Sequence, residues 1–271
     1  MGTRPQLRFL GTGAACGVPS YYCGCAACAE TLVNPHAART CACLLVSGDE
    51  QSLIDASPDL RLQLSCAGAQ DIARVLLTHA HFDHIGGIPQ LEFYVKLRRQ
   101  QPVPLYGGKE TLATVRQQFD FMAETLGFNE IEVWQALEFD GVRYTALPAR
   151  HGQGAFGYLL ETFEAPHNTA RVAYFPDTGP LDDELIAYLA SLNLDHFIVD
   201  ATFNGNNWMP TEHQNIDSAI ALAQRVNAKK TWLTHLAMHY DSPITCADLE
   251  KKLSVYGGTI EAAYDGLTLE L

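Results

Sequence analysis

Apolar residues fall along this chain in two rhythms. Short β-branched and aromatic runs alternate with longer stretches of helical period. The short runs predict strands over Leu7–Leu10, Cys41–Val46, Ser52–Asp55, Arg74–Thr78, Val142–Leu147, Gly157–Thr162, Val172–Phe175, Phe197–Val199, Thr231–Thr234 and Thr259–Ala263. The longer stretches predict helices over Pro58–Ala67, Gly87–Leu97, Glu110–Leu126, Asp182–Leu192, Ile216–Val226 and Ala247–Leu253. Within Ile216–Val226, the residues Ile216, Ala219, Ile220, Ala223 and Val226 share one face, a stripe suited to packing on a core. Strands pair first as a hairpin (Cys41–Asp55) and helices intervene later, which predicts an α/β fold of sheets packed together with helices outside them. No internal repeat, low-complexity tract or charge block marks a linker, so residues 1–271 read as a single domain.

Four predicted strands run directly into a potential ligand. Arg74–Thr78 is followed by His79, Tyr144–Arg150 by His151, Val172–Pro176 by Asp177, and Thr231–Thr234 by His235. Buried strands that finish this way can aim their terminal residues into one cleft at the sheet rim. The stretch Thr78-His79-Ala80-His81-Phe82-Asp83-His84 concentrates three of the ten histidines. Alternate residues of an extended stretch share a face, so His79 and His81 can bind one ion. Asp83 and His84 follow as the chain turns toward the helix at Gly87, and they point to a neighbouring position. Imidazoles and carboxylates suit zinc, manganese or iron, and Asp177 could bridge two ions through its two oxygens. His36, His167 and His196 have no such neighbours and read as surface or hydrogen-bonded histidines.

Composition narrows the classes of function. At 271 residues, 47% apolar and 18% charged, the chain can bury a full core. The balance of 18 Lys+Arg against 31 Asp+Glu gives −13, which disfavours a protein that grips nucleic-acid backbones. No apolar run approaches the roughly 20 residues of a membrane helix. The start Met1-Gly2-Thr3-Arg4-Pro5 lacks the apolar segment of a secretory leader, so a cytoplasmic protein without a membrane partner is expected. Eight cysteines fit a reducing compartment. The run Cys23-Gly24-Cys25-Ala26-Ala27-Cys28 brings three thiols close enough for one tetrahedral zinc, with a fourth ligand from elsewhere. Cys16, Cys41, Cys43, Cys66 and Cys246 read as small buried residues or loop thiols.

The run His-x-His-x-Asp-His from His79 to His84 resembles the signature of the metallo-β-lactamase superfamily, and the resemblance extends along the whole chain. It implies an αββα sandwich, two mixed β-sheets flanked by helices. It also implies His79, His81 and His151 on one metal, Asp83, His84 and His235 on the other, and Asp177 bridging both. Other segments are similar to the accessory phosphodiesterase family of the carbon–phosphorus lyase pathway. These are Gly11-Thr12-Gly13-Ala14-Ala15-Cys16-Gly17-Val18-Pro19, the cysteine run, Phe156-Gly157-Tyr158-Leu159-Leu160-Glu161, and Asp177-Thr178. That similarity implies opening of a five-membered ribosyl cyclic phosphate in phosphonate catabolism, with two Mn2+ or Zn2+ ions. It further implies a structural zinc in a cysteine-rich loop near 16–43, held by Cys23, Cys25, Cys28 and a histidine. The family's zinc histidine falls on Met238 here, so His239, one residue later, or another group must supply the fourth ligand. A general-acid histidine ahead of a late helix is matched by His213 in Glu212-His213-Gln214-Asn215-Ile216-Asp217.

Such chemistry needs a nucleophile, charge stabilisation and a proton for the leaving alkoxide. A hydroxide between the two ions supplies the first and the ions the second. His213 as acid is worth about 10²–10⁴-fold. Asp177 then counts as catalytic as well as metal-binding. Asp200, at the end of the strand through Val199, is placed to orient a ligand histidine. Arg150 reads either as a holder of a substrate phosphate or as half of a surface salt bridge. Trp208, beside the turn Asn204-Gly205-Asn206-Asn207, is a candidate for lining the cleft. The expected partners are a small phosphorylated substrate and, at most, a second copy of the chain in a homodimer. One alternative is RNA 3′-end processing, against which the charge of −13 and the lack of a basic cluster argue. The other is a binding or carrier module like the quinone-cofactor biosynthesis protein B, whose metal motif is degraded where this one is intact.

Overall fold

A computed structural model describes residues 4–152, 154–163 and 169–271; His167 lies outside them. Among these residues the short apolar runs form fourteen strands in two seven-stranded sheets. The first sheet contains β1 (Gln6–Gly11), β2 (Cys43–Ser47), β3 (Gln51–Ile54), β4 (Arg74–Leu76), β5 (Val103–Gly107), β6 (Leu126–Glu130) and, at the edge beside β1, β14 (Thr268–Glu270). The second contains β7 (Ala136–Phe139), β8 (Val142–Pro148), β9 (Phe156–Thr162), β10 (Arg171–Phe175), β11 (His196–Asp200), β12 (Lys230–Thr234) and β13 (Ile260–Ala262), in spatial order from 7 to 13. Both are mixed: β1 to β3 pair antiparallel and β3 to β6 parallel, while β7 to β10 pair antiparallel and β10 to β13 parallel.

Alternation along the strands divides the core into layers. Phe9, Leu44, Ile54 and Leu76 of the first sheet meet Tyr144, Tyr158, Tyr174 and Ile198 of the second, all nearly free of solvent contact. Leu53, Val75 and Leu105 point the other way, against α2 (Leu60–Ala67) and α5 (Lys109–Gln118). On the opposite flank Phe175, Phe197 and Leu233 pack against α6 (Asp183–Ser191), α7 (Ile216–Val226) and α8 (Cys246–Leu253). Each fully buried large apolar side chain contributes about 1.5–3 kcal/mol of transfer free energy. The result is the αββα sandwich that the resemblance implied.

Some expectations needed correction. The helix expected over Glu110–Leu126 ends at Gln118, where Phe119 leaves helical geometry, and Leu126 instead opens β6. The helix expected over Gly87–Leu97 is broken into a 3₁₀ turn, α4 (Leu91–Tyr94) and a π turn over Val95–Arg99. The strands β5, β7 and β14 carried too little apolar alternation, or too much Pro and Gly, to be predicted. Two short helices were also missed, α1 (Ala26–Glu30) in the cysteine loop and α3 (Phe82–Ile85) within the histidine run. Gly87 is required just after α3, since a Cβ there would sit 2.0 Å from the Ser57 carbonyl oxygen. That close approach lets Gly87 N donate to Ala56 O while Ala56 N donates to His84 O, which clamps the histidine run onto the end of β3.

Candidate metal centre

One rim of the sandwich collects the polar ends of strands from both sheets. β4 delivers His79 and His81 and leads into α3, which carries Asp83 and His84. From the second sheet β8 leads to His151, β10 to Asp177 and β12 to His235. His235 has φ of +55° and Asp55 φ of +67°, a left-handed backbone that ordinary residues rarely adopt and that turns each side chain off its strand.

The donor atoms fall into two groups with one shared member. Those of His79, His81, His151 and Asp177 all lie within 4.8 Å of one another, and so do those of Asp83, His84, Asp177 and His235. Asp177 Oδ2 is 3.3 Å from His79 Nε2 and 3.2 Å from His84 Nε2, while its Oδ1 is 2.9 Å from His235 Nε2. Within the first group His151 Nε2 is 2.9 Å from His81 Nδ1. All of these residues except His81 are buried. His79 Nε2, His84 Nε2 and Asp177 Oδ1 are buried atoms without a hydrogen-bond partner. Nitrogen lone pairs and a carboxylate left unsatisfied in this way fit divalent cations, and the set of imidazole and carboxylate donors fits zinc, manganese or iron.

The far sides of four of the five rings, all but His81, are tied down. His84 Nδ1 donates to Asp55 Oδ2 at 2.7 Å, and His151 Nδ1 donates to the Glu212 carbonyl at 2.8 Å. The Thr78 hydroxyl donates to Asp55 and accepts from His79 Nδ1 at 3.0 Å. The Thr202 hydroxyl donates to Asp200 Oδ1 and accepts from His235 Nδ1 at 2.8 Å. With the N–H on Nδ1, each of these rings turns its Nε2 lone pair toward the cluster, as metal-binding histidines require. Asp55 was missed from the sequence as a functional residue. It is fully buried and anchors His84 and Thr78 together, and its signal was the one used elsewhere, an apolar strand ending in a carboxylate. Thr202 and the Glu212 carbonyl carried no such signal.

Burial, with repulsion from His84 next, pushes His79 down to about 3, so its ring is neutral and free to bind a cation. Around Asp83 and Asp177 the balance is reversed. Burial would lower His235, but Asp177 overrides it and pulls it up to about 10; the same carboxylate and Asp55 raise His84 against burial. Burial would raise Asp83, yet His84 and His235 hold it well below the usual carboxylate range. The two carboxylates thus recruit positive charge to this spot, a demand that a divalent ion meets in place of protons.

His213 stands beside the cluster. Its donor atom groups with those of Asp177, Asp200 and His235 within 4.8 Å, and its ring stacks on His235 at 5.3 Å. His213 Nδ1 donates to Asp200 Oδ2 at 2.8 Å, so the ring that Asp200 orients directly is His213; it reaches the expected ligand His235 only through Thr202. Asp200 also accepts from the backbone N–H groups of Thr178 and Thr202. Arg150 forms the surface salt bridge, with Nη1 3.0 Å from Asp182 and most of its side chain in solvent. Trp208 is half-exposed, its ring 5.1 Å from Phe203, which in turn lies 5.9 Å from the His213 ring.

The three sulfurs of Cys23, Cys25 and Cys28 form a separate group, again within 4.8 Å of one another. A hydrogen bond from the Cys25 backbone lowers the Cys23 thiol, and burial raises Cys28 to about 11. His239 is not part of the group, but its Nε2 is buried without a partner. All eight cysteines are free.

A family model described as a beta-lactamase superfamily domain matches residues 51–236, the segment that carries every donor of the cluster. An octanoyltransferase of Porphyromonas gingivalis is 27% identical over 264 residues, 95% of this chain and 50% of that protein, so the chain spans half the length of that relative. A crystal structure of a new diphosphatase from the PhnP family superposes with a TM-score of 0.84 at 27% identity, covering 100% of this chain and 98% of that one. Zn2+-bound PqqB from Methylobacterium extorquens shares the fold, with a TM-score of 0.78 at 23% identity over 98% of this chain and 100% of its own. Among the described residues, no helix is long and apolar enough to cross a membrane.

Proposed function

The chain belongs to the metallo-β-lactamase superfamily, and on that footing we propose that it is a metal-dependent phosphodiesterase acting on a small cyclic phosphate ester of ribosyl type. The observation that carries this reading is the pair of donor groups sharing Asp177, with an oriented histidine alongside. His79, His81 and His151 would hold one divalent ion, Asp83, His84 and His235 the other, and Asp177 both. Two such ions, when bound, supply an activated water and neutralise charge on the phosphoryl group. The chain's own residues supply the rest. Asp55, Thr78, Thr202 and the Glu212 carbonyl fix the ring orientations, and burial excludes bulk water. His213, held through Nδ1 by Asp200, presents Nε2 to donate a proton to the departing alkoxide.

Cys23, Cys25 and Cys28 would hold a structural zinc, with the unpartnered Nε2 of His239 as fourth ligand after a small shift. The intact donor set supports a catalyst over a carrier, and the free cysteines support a cytoplasmic setting. The diphosphatase neighbour, alike over its whole length, supports phosphoester chemistry. The test is elemental analysis of chelator-free protein together with hydrolysis of bis-p-nitrophenyl phosphate and a panel of ribosyl and nucleoside cyclic phosphates. About three transition-metal ions per chain and turnover of a cyclic ester are expected. Fewer than two ions after manganese and zinc supplementation, or no turnover of any phosphodiester, would overturn the reading.

A further inference from the structure

A cleft of about 590 Å³ opens between α8, β13 and the loop through residues 34–39, and none of the donors of the metal centre lines it. Small-molecule sites commonly enclose roughly 300–1,000 Å³ and combine apolar walls with a few polar groups. Leu249, Leu253, Ile260 and Ala262 form such a wall here. Arg39 lines the same cleft, although only 4% of that residue is exposed.

A guanidinium keeps its charge at any ordinary pH, so burying one calls for a carboxylate beside it. Arg39 has no such partner: among the described residues it forms no ion pair. Its Nη1 donates to Thr12 Oγ1 at 2.8 Å and to the Ala263 carbonyl at 2.5 Å, while its Nε is buried without a partner. Asp265 is joined to it through the Thr12 hydroxyl, which donates to Asp265 Oδ1 at 2.7 Å. Glu30 accepts from the Cys246 backbone N–H at 2.8 Å instead. Burial pushes the Cys246 thiol up and the Arg39 guanidinium opposes that shift, so the cation is felt at the wall of the cleft.

The carboxylates of the cleft limit what can answer this charge. Glu261 is paired with Lys230 at 2.6 Å, and Glu250 is an exposed residue of α8. Together they repel a dianion and leave Arg39 matched to a single negative charge. We propose that this cleft is a binding site for a small monocarboxylate with an apolar body, its carboxylate on Arg39 and its hydrocarbon part against α8 and β13. Two carboxylate oxygens fit the fork of a guanidinium. Burial of the apolar body supplies the attraction that a chain of net charge −13 does not offer to anions at large. The site is independent of the phosphodiesterase reading above.

The test is calorimetric titration of hexanoate, phenylacetate and 4-phenylbutyrate into the wild-type protein. At least one acid should bind, one molecule per chain, with Kd below about 1 mM. Its amide and inorganic phosphate should each bind about tenfold more weakly or worse. Arg39→Gln should weaken the acid about ten- to a hundredfold. Ala262→Phe, which fills the cleft and leaves Arg39 in place, should weaken it at least as much. Asp177→Ala should bind the acid as wild type does, since only a carboxylate seated on the metal centre would be lost with its ions. The inference is overturned if none of the acids binds, if acid and amide bind equally, or if Asp177→Ala loses binding while Ala262→Phe keeps it. Should Arg39→Gln fail to fold, Ala262→Phe and the amide decide the matter.

Discussion

Removing His213 should separate the proposed proton donation from metal binding. Its Nδ1 donates to the fully buried Asp200 at 2.8 Å and lies 3.2 Å from the Thr202 hydroxyl, while its ring stacks on His235, which keeps its own 2.8 Å bond to that hydroxyl. His213→Ala should therefore fold and keep its metals. A positioned acid is worth about 10²–10⁴-fold, or about 2.7–5.5 kcal/mol of barrier, when the leaving group is an alkoxide. Nitrophenolate departs readily without a proton, so loss on bis-p-nitrophenyl phosphate should stay below about tenfold. The assay is kcat on an alkyl cyclic phosphate and on the aryl ester, with metal content measured in the same preparations. Asp200→Asn provides a companion. Asp200 accepts from His213 and Thr178 N on one oxygen and from Thr202 on the other, so an amide nitrogen must face a donor on either side. Its effect on the alkyl substrate should nearly vanish in the His213→Ala background, since the two act as one unit. Equal losses on both esters after His213→Ala would refute the general-acid role and indicate a positioning or metal-binding residue. No loss on either would leave His213 outside the chemistry.

Asp177→Ala should lose activity by about three orders of magnitude or more and release both ions on elemental analysis, because its carboxylate belongs to both donor groups; two ions still bound would contradict the bridging role. Asp55→Asn keeps the shape but weakens the bond to His84 Nδ1, and should lower metal affinity about ten- to a hundredfold in a chelator competition. Unchanged affinity there would show that Asp55 serves the fold alone. Cys25→Ser should lower melting temperature and zinc content together, with turnover falling only as a consequence; if both stay at wild-type values, the sulfur cluster holds no structural zinc.

The interior strands were readable because burial on both faces demands β-branched and aromatic runs, as in Val172–Phe175 or Phe197–Val199. Edge and rim elements were less so. β6 and β7 sit at sheet edges with most positions partly or fully exposed, and β5 holds Pro104 and Gly107. The end of α5 escaped because its stop is a backbone change at Phe119, with no Gly or Pro to mark it. At the site, residues whose chemistry is local to a strand end were legible in advance, including all seven donors that the structure gathers. The residues that orient them depend on contacts distant in sequence, such as Thr202 with His235 or Glu212 with His151, and no spacing encodes those. Asp200 was legible as a supporting carboxylate, but which ring it supports required the fold.

The rim draws His79, His81, Asp83 and His84 from the first sheet and His151, Asp177 and His235 from the second. Each donor group mixes residues of both sheets, so neither half of the sandwich owns a complete coordination shell. An ion bound there acts as a rivet across the seam, and docking of the halves becomes coupled to metallation. During synthesis the last donor emerges with the end of β12, so a nascent chain stopped short of His235 could close the sheets only around an incomplete shell. Metal supply would then act on the maturation of the protein as well as on its turnover, and a cell starved of the ion would accumulate molecules with a loosened seam alongside idle enzymes.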